Sequence, residues 1–166
     1  MEKVKANKPI VLNADKIIGT AIEQFPDPST GGDVSWRTLI STPKTPTNTF
    51  TVGIATCAPG AEAGCQGHLK PHRHKQAEIY HVTLGEGIVT IDGEEYEVRK
   101  GSVVWIPGDA EHGVRNSGDE QLVWLYAFAT DGFEDIVYRF NDLERGQGQG
   151  QGYVQGGEAV HARAKL

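Results

Sequence analysis

Three histidines and a glutamate crowd the stretch KPHRHKQAEIYHVTLGEG, Lys70 to Gly87. His72, His74 and Glu78 share parity. Side chains alternate faces along a strand, so on an unbroken strand these three point the same way, with Tyr80 and Val82 after them. Two imidazoles and a carboxylate converging from one strand offer three ligands to a divalent first-row ion. A fourth must come from elsewhere, and His112, in the later run WIPGDAEHGVRN, is the candidate, set opposite the others by an adjacent strand. His81 has the opposite parity to Glu78 and should face away. His68, before the strand, and His161, near the end of the chain, are read with it as surface or hydrogen-bonded histidines rather than ligands.

The elements that would position these residues are short and extended. VSWRTLIS (Val34 to Ser41), NTFTVGIATCAPG (Asn48 to Gly60) and AEIYHVTLGEG read as strands. In GIVTIDGEEYEVRKG, Asp92-Gly93 lies between alternating runs, the pattern of a two-residue hairpin turn. That register puts Val89 and Ile91 on one face with Tyr96 and Val98, and Thr90, Glu95 and Glu97 on the other. SVVWIPGD, HGVRN and QLVWLYAFA continue at spacings of about ten residues, the rhythm of a sandwich or barrel. NADKIIGTAIEQF fits a short helix or an extra strand, and DGFEDIVYRFNDLE is expected to end in a helical turn. RGQGQGQGYVQGG has little to bury and reads as a flexible tail or an extended arm. The expected organisation is an N-terminal extension over 1–48, whose strands pack on the barrel or swap between barrels, a β domain over 49–140 and a Gly/Gln-rich tail over 141–166.

The chain has 166 residues, enough for one domain with its own core. With 16 basic against 22 acidic residues the net charge is −6, and no basic patch argues for nucleic acid as a partner. No apolar run approaches the length of a membrane span. The N-terminal residues lack a secretory pattern, so a cytoplasmic location is expected. Cys57 and Cys65 are too few for a disulfide framework and are expected as thiols.

The two blocks around the histidines resemble the paired motifs of the cupin superfamily. Gly67, His72, His74, Glu78 and Gly85 fall in the places of the first motif; Gly101, Pro107, His112 and Asn116 fall in those of the second. The chain departs from the pattern twice. One residue fewer separates Gly67 from His72, and Asp109, after Gly108, stands where the family usually has glycine. The likeness spans roughly Thr49 to Ala129. It implies an all-β fold, an antiparallel double-stranded jelly-roll barrel, with a metal inside its mouth. It also implies one divalent Fe, Mn, Ni, Co or Zn held by His72, His74, Glu78 and His112, with one or two positions open to water or substrate. A homodimer is expected on the same ground, in some members built by exchange of an N-terminal strand.

Such an ion can polarise a bound carboxylate, sharpen a water or present O2 to a coordinated substrate. Tyr80 should stand beside it as a general base, a substrate hydrogen bond or a packed aromatic. Glu78 could move a proton as well as bind. Arg37 has the forked donors to hold a substrate carboxylate, though a solvated arginine is the commoner case. Trp124 and Tyr126 share a strand face with Phe128 and could wall a substrate pocket; with Trp105 they are divided between pocket and core. Cys57 precedes the metal motif, but nothing near it in sequence activates it. The reading is a metal-dependent cupin enzyme acting on a small organic metabolite. Its chemistry is metal-assisted proton transfer of lyase or isomerase type, or O2-dependent oxidation of dioxygenase type. The alternative is a non-catalytic cupin that binds a metal or small molecule.

Overall fold

The structure, a computed structural model, describes residues 8–60, 66–140 and 153–155. Twelve strands form among them: β1 (Glu23–Gln24), β2 (Ser35–Ile40), β3 (Thr51–Cys57), β4 (His68–Arg73), β5 (Glu78–Leu84), β6 (Glu86–Ile91), β7 (Glu94–Arg99), β8 (Val103–Ile106), β9 (His112–Asn116), β10 (Leu122–Phe128), β11 (Val137–Phe140) and β12 (Tyr153–Gln155). They build two six-stranded sheets, β1-β2-β3-β10-β5-β8 and β12-β11-β4-β9-β6-β7. Every neighbouring pair is antiparallel. The fold is the all-β jelly roll expected from the strand rhythm and the motifs.

The hairpin at Asp92-Gly93 has the expected register. Ile91 pairs with Glu94 and Val89 with Tyr96, and the two turn residues take φ of 48° and 87°. Both angles lie in the left-handed region a type I′ turn demands. Val89 and Val98 are buried, whereas Tyr96, on the edge strand β7, is 46% exposed.

The undecided N-terminal run holds both structures, a short helix (α1, Ala14–Ile18) and then β1. A second short helix (α2, Pro28–Gly31) starts where the Asp27 carboxylate accepts the Ser29 N–H at 2.8 Å. The end of the C-terminal run, residues 141–144, where a helical turn is expected, lies outside the described residues. Earlier in the run, a helical turn, Phe133–Asp135, comes first and β11 follows. The Asp135 carboxylate closes that turn by accepting the Thr130 hydroxyl (3.0 Å) and the Gly132 N–H (3.3 Å). Alternation then sends Ile136, Tyr138 and Phe140 into the core. Of the Gly/Gln-rich segment, Tyr153–Gln155 pairs with β11; the rest of that segment lies outside the described residues, as do His161 and Cys65.

Inward-facing side chains of the first sheet lie in cross-strand rows. One row runs Thr51, Phe128, Glu78, Ile106; the next runs Thr38, Gly53, Tyr126, Tyr80, Val104; the third runs Trp36, Ala55, Trp124, Val82. The small residues of β3 make space for the rings beside them. A Cβ at Gly53 would strike the Tyr126 hydroxyl. Phe25 and Trp36, from the N-terminal segment, pack edge to face at 5.0 Å and are buried with the rest. Trp105 is not in this core. Ile106 and Val104 take the inward parity of β8, leaving Trp105 65% exposed on the outer face beside Val103 (68%) and Ile79 (44%).

Candidate metal centre

The expectation that one strand delivers His72, His74 and Glu78 is corrected by the topology. His72 lies in β4 of one sheet, His74 just past the end of that strand, and Glu78 opens β5 of the other sheet. Residues 74–77 cross between the two sheets, so the carboxylate meets the imidazoles across the barrel rather than alongside them. His112 opens β9 and stands directly opposite His72. That pairing depends on an irregularity in β4, because the β4–β9 register shifts between Leu69 and His72. Pro71, which has no N–H for a ladder, sits in the shift. Gly113 lets it fit, since a Cβ there would lie 3.0 Å from the Leu69 carbonyl oxygen and 3.1 Å from the Pro71 nitrogen.

All four side chains are buried. Each histidine uses Nδ1 on a backbone carbonyl: His72 on Lys70 (2.8 Å), His74 on Gln76 (2.9 Å) and His112 on Ala110 (2.9 Å). A carbonyl only accepts, so each neutral ring carries its proton on Nδ1 and turns an Nε2 lone pair inward. Those three Nε2 atoms and Oε2 of Glu78 are buried without hydrogen-bond partners. Ligand atoms of the three histidines lie within 4.8 Å of one another, and Oε2 of Glu78 lies 3.3 Å from Nε2 of both His74 and His112. Converging lone pairs repel unless a cation sits among them. The three histidines could therefore hold a metal ion, with the ring orientation fixed by the carbonyls behind them as in known metal sites.

The electrostatics agree with that geometry. Burial, and then the His112 and His74 rings, hold His72 well below the usual imidazole range. Burial pushes the Glu78 carboxyl up, but His112 and His74 beside it outweigh burial and leave it lowered. Burial, followed by the charge of Glu78, raises the Tyr80 hydroxyl well above the ordinary phenol value.

Tyr80, Trp124 and Tyr126 are brought to the interior next to the centre. The Tyr80 ring is 5.6 Å from Trp124 and 6.4 Å from His112. Tyr126 pairs across the strands with Tyr80, and its hydroxyl is 3.4 Å from Oγ1 of Thr38. Arg37 is not brought there. Trp36 and Thr38 take the inward positions of β2, so Arg37 turns outward, and its Nε donates to the Thr20 carbonyl at 3.1 Å. His81 is exposed; His68 is part-buried, 3.6 Å from Asp33. Cys57 is buried at the end of β3, and Asn116 ties the strands by donating to the Cys57 and Glu120 carbonyls.

Two side chains at the centre were not singled out by the sequence reading. Tyr138 and Phe140 of β11 lie against His72, with ring centroids 4.8 Å and 5.6 Å away, and Tyr138 is also 5.7 Å from His74. Their signal was the alternation in IVYRF, but nothing in sequence ties that run to the histidines. Glu78, Tyr80 and Tyr138 share an interior cavity of about 20 Å3 with Trp36, Trp124 and Tyr126. A cavity of that size has room for about one water.

A metal-poised cluster inside a double-stranded jelly roll defines the cupin class, and the chain belongs to the cupin superfamily. The profile of the Cupin domain matches residues 53–128. The chain is 46% identical over 111 residues to a dimethylsulfoniopropionate lyase, DddW, of Ruegeria pomeroyi, covering 67% of this chain and 68% of that protein. A gentisate 1,2-dioxygenase from a Streptomyces species is 38% identical over 55 residues, which is 32% of this chain and only 15% of that protein. Among solved structures, a predicted oxalate decarboxylase of Thermotoga maritima aligns with a TM-score of 0.59 at 21% identity, over 73% of this chain and 99% of that one. That structural likeness supports the fold, and the sequence relatives point to a cupin enzyme. No helix among the described residues is long and apolar enough to cross a membrane.

Proposed function

We propose that this chain is a metal-dependent lyase that cleaves dimethylsulfoniopropionate to dimethyl sulfide and acrylate. The likeness to the Ruegeria lyase at 46% identity over two thirds of the chain carries the substrate. The reaction is an elimination. A base removes the proton α to the carboxylate, the C–H pair becomes the new π bond between Cα and Cβ, and the Cβ–S bond breaks with its own pair going to sulfur, which leaves as neutral dimethyl sulfide. A divalent first-row ion held by His72, His74, Glu78 and His112 would supply Lewis acidity toward the substrate carboxylate. The protein's part is proton transfer. Tyr80, buried beside Glu78, would take the α-proton as its phenolate, the charge of the bound ion offsetting the burial that otherwise keeps the phenol protonated. The aromatic faces of Trp124, Tyr126 and Tyr138 suit a sulfonium cation.

The test is purified protein loaded in turn with Fe(II), Mn(II), Ni(II), Co(II) and Zn(II), given dimethylsulfoniopropionate, with headspace dimethyl sulfide and acrylate both measured. Equimolar release of the two is expected with at least one metal. Stoichiometric loading without release from any of them would sink the reading. In the same preparations, His72→Ala and His112→Ala should lose most of the bound metal; full retention would move the centre elsewhere.

A cytoplasmic homodimer belongs to this reading. Its support is the outward apolar surface of Trp105, Val103 and Ile79 at the β8 edge of the first sheet, a surface suited to a second copy. Sedimentation velocity decides it: a purely monomeric species at micromolar concentration removes the dimer.

A further inference from the structure

The sequence departs from the cupin pattern at Asp109, and the structure gives that residue an unusual set of partners. Its φ of 62° lies in the left-handed region, where glycine is favoured and aspartate or asparagine is tolerated. Its N–H donates to the carbonyl of His74 at 2.8 Å. Its own carbonyl accepts Nη1 of Arg73 at 3.2 Å, and Arg73 also reaches Glu111 at 3.4 Å. Its carboxylate accepts Nη2 of Arg139. The next residue, Ala110, supplies the carbonyl that orients His112.

Arg139 lies between Tyr138 and Phe140 on β11, the strand that closes over His72. Among the described residues, which stop at Phe140, β11 pairs with β4 at Arg139–Arg73 and Phe140–His72. Its other ladder is the three-residue pairing with β12. The ion pair is a side-chain tie between this wall and the turn carrying two orienting contacts for the histidines. A glycine at position 109 could adopt the same φ but could not make the tie.

We propose that Asp109 and Arg139 form a clasp that sets β11, and with it Tyr138 and Phe140, against the histidine centre. They act as positioning residues, not catalytic ones. The clasp also marks where the site opens. A cavity of about 20 Å3 cannot take an eight-heavy-atom sulfonium carboxylate while the wall is shut. Tyr138 of β11 lines that cavity, so displacing β11 would widen it. The statement about substrate rests on the lyase reading; the clasp itself does not.

The experiment uses the full chain as Asp109→Asn, which keeps tolerance of the left-handed φ and removes the charge, as Arg139→Gln, and as the double variant. Amide hydrogen exchange of residues 137–140 is compared with that of β10 in the same molecules, at low salt and in 0.5 M NaCl. Each single variant should speed exchange in β11 about 2- to 5-fold and leave β10 unchanged, the scale expected of a partly exposed ion pair. The double variant should be no faster than the singles, and high salt should speed the parent but neither variant. Affinity for Zn(II), read by chelator competition, should weaken in parallel with the loosened wall. Equal acceleration of β10 and β11 would show general destabilisation and overturn the proposal. So would additive single effects, or unchanged β11 exchange. If these signatures appear and dimethylsulfoniopropionate is not cleaved, the lyase reading fails and the clasp stands. If it is cleaved, the variants should alter KM more than kcat; the reverse would place the pair in the chemical step and overturn a positioning role.

Discussion

At the scale of single residues, the histidines' shared habit is the informative feature. Each spends Nδ1 on a carbonyl within two residues of itself, leaving an inward Nε2 lone pair. The pH dependence of the metal-free protein follows from His72. Its folded pKa is depressed, foremost by burial, so the unfolded chain binds a proton near pH ~6.5 that the folded chain refuses. The stability this gives is present above that pH and lost as pH falls through the lowered folded value. The thermal midpoint of the apoprotein should drop between pH 7 and 5, and His72→Gln should flatten that slope; a parallel slope in the variant would assign the effect elsewhere. Tyr80→Phe removes a hydroxyl and keeps a ring of the same size. It should cut dimethylsulfoniopropionate cleavage by on the order of 100-fold, the lower range for a lost acid–base group, with metal content unchanged. Cleavage within about 3-fold of the parent would pass the proton-transfer role to another group, Tyr138 being the nearest candidate.

At the scale of elements, the β4 irregularity decides whether the ligands meet. Without its extra residue, His72 would not stand opposite His112, and a one-residue slip on a strand turns every later side chain to the other face. Gly113→Val tests this without touching a ligand, because its side chain would press on the Leu69 and Pro71 backbone. Metal affinity should fall at least about 10-fold while all four ligands remain, as for other losses of support behind a metal ligand. Unchanged affinity would show that the register is held by something other than that close approach. The strands around this point were legible because their turns are: Asp92-Gly93 announces its hairpin, and the motif glycine Gly67 has a φ of 60°. The β4–β5 crossing was not legible, since HRHKQAE carries no proline, glycine or Asx pair to mark a break.

At the scale of the molecule, the segment before the motifs is a wall of the barrel and not an appendage. β2 pairs along β3, and Phe25, Val34 and Trp36 are buried in the common core. Truncating one such aromatic to alanine typically costs about 3–5 kcal/mol, against a whole stability of about 5–15 kcal/mol. A chain starting at Thr49 should therefore fail to unfold cooperatively and should expose apolar surface to a hydrophobic dye. A sharp thermal transition in that truncation would restrict the folding unit to the motif region.

The sequence by itself determined the strand rhythm, the hairpin register, the candidate ligand residues and the shared face of the β10 aromatics. These depend on local alternation and on residue types with few other reasons to cluster. Only the tertiary structure decided that Glu78 faces the histidines from the opposite sheet, that Arg37 and Trp105 point outward, and that Tyr138 and Phe140 close over His72. The physical reason is the same in each case. Parity states which residues share a face, but which face is inside depends on how two sheets stack, and that is settled by packing between residues far apart in the chain.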